Sequence, residues 1–419
     1  MTIGACAPSP TWVHETEHSM RTARCLMICL TWCSLPESTS RAEVTLLGEV
    51  QIAGDSRDLS GLTGGFDNGI PFNRFGGISA IDHVAGDEYV LLSDRGPNDG
   101  AVPYATRFHL ATIHLPTNGS ASQLQLTATR LFTKASGQPL VGAANALKKG
   151  EDHPGRFDPE GCRLVRRQGQ EMQLAVSDEY GPRVDLFDLT GQRVEKLKVP
   201  GRFEIDHPHG DAAQEARENQ NGRQPNGGFE GLAISPDGKT LYAMMQRPLI
   251  QDGALVAGRF SGRLNRILRI DLATESTAEF AYPLDSPDAV VCEMLCVDEH
   301  RALVLERDSV SGKAAQIKRL ALIDLQAASD ISDIKSLPSR PEELPHGVRC
   351  VTKRPFLDLL DPRLGIFGEK TPAKFEGLTF GPDLADGRKT LLVAVDNDFQ
   401  VENPTRIFVF AITPEELTK

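Results

Sequence analysis

The chain has 419 residues and a formal net charge of −12, with 38 glycines, 27 prolines and 24% charged residues. This length allows a large core, and the glycine and proline content is typical of a turn-rich β protein rather than a disordered one. The acidic balance, without a lysine or arginine run, argues against nucleic acid and anionic membranes as partners and is compatible with cation binding.

Residues 1–42 have the pattern of a secretory signal peptide rather than of a folded segment. Two arginines precede the short apolar run CLMICLTWCSL, and a small-x-small cleavage signal follows it. We therefore predict that translation begins at Met20 and that residues 43–419 form one domain, exported to the periplasm or the extracellular space. A disordered tail is the alternative. No other segment is long and apolar enough to be transmembrane.

From residue 44 onward, a four-strand unit recurs along the chain after an unpaired strand, VTLLGEVQI. The first strand of each unit carries a Glu-Gly pair, and its clearest copies, DPEGCRL, FEGLAIS and KFEGLTF, begin at Asp158, Phe229 and Lys374. Two degenerate copies, RFGGISAI from Arg74 and VCEMLCV from Val291, fill the gaps. A repeat of four short strands per unit favours a β-propeller.

The predicted fold is thus all-β, a single β-propeller with five blades counted and a sixth possible in irregular sequence. The last unit lacks its fourth strand, and the strand at residues 44–52 has the pattern to supply it and so to close the ring. Two long connections, residues 133–157 and 202–228, each enter a Glu-Gly strand. They are expected on one face of the ring. We expect a monomer.

The repeated acids predict a metal site on the propeller axis. The first strand of each blade lines the central channel, so we expect Glu160, Glu230 and Glu376 to converge, with Glu293 as a fourth candidate and Gly76 in the acid's place in the first copy. Crowded carboxylates raise one another's pKa, and a divalent cation removes that cost. Ca²⁺ tolerates an irregular oxygen shell. The alternative is structural, with glycine fitting a crowded axis and glutamate bonding a neighbouring amide.

A second recurring position, where the second strand of each unit ends, forms a predicted rim. Its acids are Asp94, Asp178, Glu306 and Asp396, with Gln246 in the third copy. In three copies an arginine follows, and these are Arg95, Arg247 and Arg307. Arginine suits bidentate capture of phosphate, so the rim predicts a small anionic, phosphorylated substrate. Salt bridges between blades and turn caps are the alternative.

Four cysteines follow the predicted signal peptide: Cys162, Cys292, Cys296 and Cys350. Four cysteines allow three pairings, and the sequence does not choose among them. For Cys292 and Cys296 we expect buried, small apolar side chains, because their spacing along one predicted strand is too long for an easy bridge.

Three motifs make the chain resemble the phytase-like esterase family, whose mostly exported bacterial members carry the description "esterase-like activity of phytase". The motifs are the repeated F-E-G-[LI], SDRGPN from Ser93 and VDNDF from Val395, and the resemblance extends over residues 44–413. It implies that the repeated acids form the active site, which here are Glu160, Glu230, Glu376, Asp94, Asp178 and Asp396. Gly76 and Gln246 depart from this pattern, which puts a complete, symmetric metal ring in doubt.

These patterns favour an exported, calcium-dependent hydrolase of phosphoric esters. In this hypothesis the three rim arginines hold the phosphate, and Glu230 or Glu376 activates the attacking water. A lactonase or carboxylic esterase on the same metal-centred propeller is the alternative enzyme. A calcium-stabilised binding scaffold without catalysis is the alternative outside enzymes, and the sequence leaves this choice open.

Overall fold

The computed structural model describes residues 44–116, 122–147, 155–256 and 259–418. The predicted signal peptide, residues 1–42, lies outside this part. Within it, the strands form five four-stranded antiparallel sheets, which are the blades of a β-propeller. The predicted all-β propeller is therefore confirmed, with five blades rather than six in the described residues.

The described part begins with strand β1 (Val44–Ile52), which belongs to the last blade. The first blade consists of β2 (Ile78–Ala85), β3 (Glu88–Ser93), β4 (Arg107–His114) and β5 (Gln123–Leu131). The second consists of β6 (Pro159–Val165), β7 (Gln173–Asp178), β8 (Arg183–Asp188) and β9 (Arg193–Lys196).

The third blade starts with β10 (Phe229–Ile234) and β11 (Thr240–Met245), is interrupted by a ribbon of β12 (Leu255–Val256) and β13 (Arg259–Phe260), and ends with β14 (Leu264–Asp271) and β15 (Thr277–Pro283). The fourth consists of β16 (Val290–Cys296), β17 (Arg301–Arg307), β18 (Lys318–Asp324) and β19 (Thr352–Asp358). The fifth consists of β20 (Lys374–Phe380), β21 (Lys389–Asp396), β22 (Thr405–Ile412) and β1.

Helical structure among the described residues is confined to the connections. It comprises α1 (Pro97–Gly100), α2 (Ala212–Glu218) and the 3₁₀ turns Gly201–Phe203, Ile250–Asp252, Gly312–Ala314, Pro341–Glu343, Pro362–Leu364 and Pro414–Leu417. None of these helices has both the length and the hydropathy needed to cross a bilayer.

The predicted ring closure is confirmed by the pairing of β1 with β22. The two strands run antiparallel, from Val44 opposite Ile412 to Ile52 opposite Thr405. Val50 of β1 is 1% exposed and packs in the core between the first and last blades. The N-terminal strand thus covers an edge that would otherwise be open.

Glycines allow the first strands of neighbouring blades to approach closely. These strands, β2, β6, β10, β16 and β20, pack against one another in a closed ring around the axis. A Cβ atom added to Gly231 would lie 2.8 Å from the backbone nitrogen of Met294, which is closer than a side chain can come. Gly161 and Gly377 meet the next blade in the same way. The glycine of the Glu-Gly pair is therefore required by crowding at the axis.

Arg163 of β6 spans the channel and ties the inner strands together. Its buried guanidinium donates hydrogen bonds to the carbonyls of Ile81, Met294 and Leu378, which belong to the first, fourth and fifth blades. Its Nη2 atom lies 3.0 Å from Oε2 of Glu293. The other carboxylate oxygen of Glu293 accepts the amide of Leu232 in the third blade. All five blades are therefore linked through this one ion pair.

The four cysteines in the described residues are free thiols. Cys162, Cys292 and Cys296 are buried, as expected for the last two, and Cys350 is partly exposed. Cys296 packs in an apolar cluster with Ala233 and Val304. Cys292 also packs in an apolar cluster, with Val290 and Leu305, but in addition it lies close to the acids of the site described next.

Candidate functional site

A β-bulge near the start of each blade's first strand turns one side chain toward the axis. In every blade the register between the first and second strands shifts at this point. In three blades the shift contains the glutamate of the Glu-Gly pair, namely Glu160, Glu230 and Glu376. All three are buried and line one cavity at a mouth of the channel. The structure therefore brings these three glutamates together, as predicted.

In the fourth blade, Cys292 occupies the position of these glutamates, and the predicted placement of Glu293 among them is wrong. The register shift of this blade falls at Cys292. A step of one residue along a strand moves a side chain to the opposite face. Glu293 therefore lies on the far side of the strand, where it pairs with Arg163.

In the first blade, the register shift falls at Ser79, and Ser79 lines the cavity where the other blades have an acid or a thiol. Gly76, which the motif alignment put at this position, lies three residues earlier. The expectation that the first blade lacks the acid is correct, although the residue that replaces it is different.

The predicted rim residues separate into two sets. Asp94, Gln246 and Asp396 each lie one residue beyond the strand partner of the residue that precedes the bulge, and all three line the cavity. Asp178 and Glu306 are themselves those partners, opposite Pro159 and Val291. Because of this one-residue difference, their side chains point away from the cavity.

Asp178 and Glu306 have structural partners instead. Asp178 accepts the amides of Asp158 and Tyr180, and it forms an ion pair of 2.7 Å with Arg183. Glu306 accepts the Tyr282 hydroxyl and pairs with two cationic side chains, Arg319 and Lys353. The equivalent rim positions in these two blades are held by Glu179 and Arg307.

The cavity has a volume of about 380 Å³. Both long connections reach it, as predicted, since Ala144 and Arg156 come from the first, and His209 and Arg223 from the second. The loops also touch each other, because a Cβ on Gly210 would lie 3.0 Å from Asn145. The two long connections therefore form part of the cavity wall at one mouth of the channel.

One group of buried acids comes entirely from the second blade, and its member Glu160 lines the cavity. Ligand oxygens of Asp158, Glu160 and Glu179 lie within 4.8 Å of one another. Arg95 donates to both Asp158 and Glu179, the latter at 3.1 Å. Burial, with Asp158 as the next cause, raises the pKa of Glu179 to about 7. We name these three acids the oxygen group.

A second group joins the third, fourth and fifth blades. Ligand atoms of Glu230, Cys292 and Glu376 lie within 4.8 Å of one another. Arg307 donates to Oε1 of Glu376 at 2.7 Å. Burial, followed by the charges of Glu179 and Glu376, raises the pKa of Glu230 well above its usual value. We name these residues the thiol group.

A third set of acids at the mouth is paired with a lysine. Lys374 Nζ lies 2.9 Å from Asp396 Oδ2 and also contacts Asp398. Burial and the charge of Asp396 raise the pKa of Asp94 well above its ordinary value. Asp94 and Asp396, both predicted as metal ligands, therefore lie beside a cation rather than in either three-ligand group.

The three predicted arginines all line the cavity but differ in their partners. Arg95 and Arg307 are ion-paired with the oxygen group and the thiol group, respectively. Arg247 has neither a hydrogen bond nor an ion pair to any residue that the structure describes. Its neighbours include Gly227, where an added Cβ would lie 3.2 Å from the arginine side chain. Arg247 is thus the arginine available to an incoming anion.

Several cavity residues were not predicted from the sequence. Asp158 and Glu179 stand next to predicted residues, so the motif DPEG and the pair Asp178-Glu179 carried a usable signal. Lys374 precedes the last Glu-Gly motif, and its charge was equally visible. Cys292 and Ser79 had no such signal, because only the position of the bulge brings them to the axis.

The match to a family model identifies the family of this chain. Residues 73–399 match the phytase-like family, described as "esterase-like activity of phytase". The chain belongs to this family, and the resemblance noted in its motifs is confirmed. A curated relative, an uncharacterized secreted protein of Arthroderma benhamiae, is 26% identical, with 54% of this chain and 54% of the relative covered. The chain thus spans about half the length of that relative.

Solved structures with a similar overall course include a protein of unknown function from Dyadobacter fermentans, with 11% identity, a TM-score of 0.38 and coverage of 88% of this chain and 99% of that chain. The periplasmic gluconolactonase of Pseudomonas aeruginosa has 12% identity, a TM-score of 0.34 and coverage of 87% and 95%. Such low identities and scores carry no conclusion about the activity of this chain.

Proposed function

We propose that this protein is an exported, calcium-dependent hydrolase of small phosphoric esters, with its active site in the cavity at the mouth of the channel. The observation that carries the proposal is a cavity lined by Glu160, Glu230 and Glu376, which belong to two groups of three buried ligand residues, and by Arg247, which has no hydrogen bond or ion pair to a described residue. Family membership supports an esterase-like activity.

The oxygen group fits a calcium ion in its chemistry and its charge. Asp158, Glu160 and Glu179 offer only carboxylate oxygens, which are the ligands Ca²⁺ prefers. When ionised they carry three negative charges against the single positive charge of Arg95. Oε1 of Glu179 is buried and has no hydrogen-bond partner among the described residues. A bound divalent cation would balance the remaining charge and give this oxygen a partner.

Ca²⁺ bound there would neutralise substrate charge and lower the pKa of a coordinated water. The protein's own part is to bind the ester and to accept a proton. Arg247 is suited to hold phosphate oxygens, because its planar guanidinium matches their geometry. Glu230 and Glu376 line the cavity outside the oxygen group, and one of them is the carboxylate available to take the proton of the attacking water.

Export is supported by the signal-peptide pattern of residues 1–42 and by the name of the relative from Arthroderma benhamiae, which is called a secreted protein. The described part of the chain contains no helix that could span a membrane. We propose the periplasm or the extracellular space as the location of the mature chain.

The metal and the reaction are tested together with purified protein and two classes of substrate, phosphomonoesters and phosphodiesters. Turnover is expected with Ca²⁺, is lost with a chelator, and returns when Ca²⁺ is added back. Glu160→Gln combined with Glu179→Gln should lower bound Ca²⁺, whereas Glu369→Gln, at an exposed position, should not. Chelator-insensitive turnover would contradict the metal dependence. Turnover of lactones or carboxylic esters alone would favour the alternative enzyme. No turnover, with calcium-dependent stability, would favour a scaffold.

A substitution of Arg247 tests substrate binding in the same assay. A hydrogen bond to a charged group contributes about 1.5–3 kcal/mol, so Arg247→Met should raise KM about 10- to 150-fold. Bound Ca²⁺ should stay unchanged, and Arg363→Met, at a site where the side chain is 69% exposed, serves as the control. An unchanged KM would remove Arg247 from substrate binding.

A further inference from the structure

The thiol group differs from the oxygen group in the metal that it suits. Its three members come from three adjacent blades, and each is at most 3% exposed. Sulfur is a soft ligand that Ca²⁺ and Mg²⁺ do not use in proteins, whereas Zn²⁺ accepts both thiolate and carboxylate. Cys292, at the position of the axial acid in the fourth blade, therefore changes the metal preference of the group that it forms with Glu230 and Glu376.

Two buried oxygens in this group lack partners. Oε2 of Glu230 and Oε2 of Glu376 are inaccessible to solvent and have no hydrogen-bond partner among the described residues. A buried carboxylate oxygen without a partner is costly, so such atoms are usually bound to a proton, a water or an ion. Both belong to residues whose ligand atoms also lie within 4.8 Å of Cys292.

The charges of the group also match one divalent cation. Two carboxylates and a thiolate carry three negative charges, and Arg307 next to Glu376 supplies one positive charge. A divalent cation makes the set neutral. Metal binding at a cysteine releases the thiol proton, so the ligand in such a site is the thiolate.

We propose that Glu230, Cys292 and Glu376 form a second, separate metal site that selects a borderline-soft divalent cation of the Zn²⁺ class. Three protein ligands leave a fourth position, which in zinc enzymes is taken by water or substrate. This inference rests on the proposed metal dependence of the cavity and deepens it, since the two groups then hold different metals and, with the second metal bound, Glu230 and Glu376 are ligands rather than proton acceptors. The oxygen group remains the calcium site.

The test uses Co²⁺ as a spectroscopic substitute for Zn²⁺, added to chelator-treated protein in the absence of substrate. Thiolate bound to Co²⁺ gives a charge-transfer absorption in the near ultraviolet, which carboxylate ligands do not produce. Wild-type protein is expected to show this band and to saturate at one equivalent. Zn²⁺ should abolish the band by displacement, and Ca²⁺ should leave it intact.

Three cysteine variants test whether Cys292 is the ligand. Cys292→Ser should lose the band and weaken Zn²⁺ binding by more than about 100-fold, the upper end of the effect of outer-shell substitutions. Cys296→Ser removes another buried thiol of the same strand and should keep the band. Cys292→Ala, with circular dichroism as a check of folding, repeats the measurement without a hydroxyl. A band that persists in both Cys292 variants, or that Ca²⁺ displaces as readily as Zn²⁺, would overturn the proposal.

The outcome is separable from that of the proposed function. A Co²⁺ band without turnover of any ester would support the zinc-class site and contradict the hydrolase. Calcium-dependent turnover in a protein that binds Co²⁺ without the band would support the hydrolase and contradict the site.

Discussion

His109 is a fully buried histidine whose surroundings favour the neutral ring. Its two nitrogens lie 3.1 Å and 2.9 Å from the hydroxyls of Ser93 and Thr129. Burial lowers the pKa of His109 from 6.5 to about 3. The charge of Asp58 has a smaller raising effect on this pKa, and the charge of Arg107 has a smaller lowering effect. Between these two values the unfolded chain binds a proton that the folded protein does not, so folding stability falls as the pH falls below 6.5.

Replacing His109 should therefore reduce the acid sensitivity of the fold. Between pH 8 and pH 5, the wild type is expected to lose about 2 kcal/mol more of its unfolding free energy than His109→Gln does, because one pKa unit corresponds to about 1.4 kcal/mol. Urea unfolding at both pH values provides the measurement. His114→Gln, on the exposed end of the same strand, is the control. Equal losses in wild type and His109→Gln would contradict the assignment.

At the scale of the element, the five inner strands depend on the ion pair between Arg163 and Glu293. Both side chains are buried, and the carbonyls and amides that they bind belong to other blades. Removing one member of a buried ion pair leaves an uncompensated charge in a region without water. This is a stronger effect than the loss of an exposed pair, which contributes at most about 1 kcal/mol.

Arg163→Met is expected to lower the unfolding free energy by about 3–5 kcal/mol. Adding Glu293→Gln should restore a large part of that loss, because glutamine still accepts the Leu232 amide but carries no charge. The four proteins, wild type, each single variant and the double variant, form a double-mutant cycle measured by urea unfolding. Additive losses would show that the pair does not act as a unit.

At the scale of the whole molecule, the ring is closed by a strand from the other end of the described chain. A propeller blade with an open edge exposes unpaired backbone groups and loses the apolar contacts of the missing strand. In this protein β1 provides the backbone hydrogen-bond partners and the apolar contacts that the open edge would lack. Val50 of this strand lies in the interface between the first and last blades. The first and last blades should therefore unfold together.

A matched pair of substitutions tests this closure. Val50→Asp places a charge in the closing interface and should lower the unfolding free energy by about 3 kcal/mol or more. Gln51→Asp puts the same charge on the exposed face of the same strand, where substitutions change stability by less than about 0.5 kcal/mol. Thermal unfolding and size-exclusion chromatography provide the measurements. Similar unfolding of both variants would mean that the strand contributes little to the ring.

The sequence alone was sufficient for the architecture. Apolar alternation and turn signals are local properties of the chain, so the strands, the four-strand repeat, the five blades and the closing strand could be predicted from it. Because the three copies of the Glu-Gly pair share one register, the convergence of Glu160, Glu230 and Glu376 could also be predicted. The crowding that requires the glycine could also be inferred before the fold was known.

The composition of the site was decided by tertiary structure. A bulge changes which residue faces the axis, and its position depends on pairing between strands that the sequence does not display. For this reason Cys292 replaces Glu293, Ser79 replaces Gly76, and Asp178 turns away from the cavity. The ion pairs of the site are equally non-local. Arg95, Arg307 and Lys374 form ion pairs with acids from other segments of the chain, whereas Arg247 forms none with a described residue. The sequence by itself determined that acids and arginines gather at one mouth of a propeller. Only the folded ring decided which of them remain free to bind a ligand.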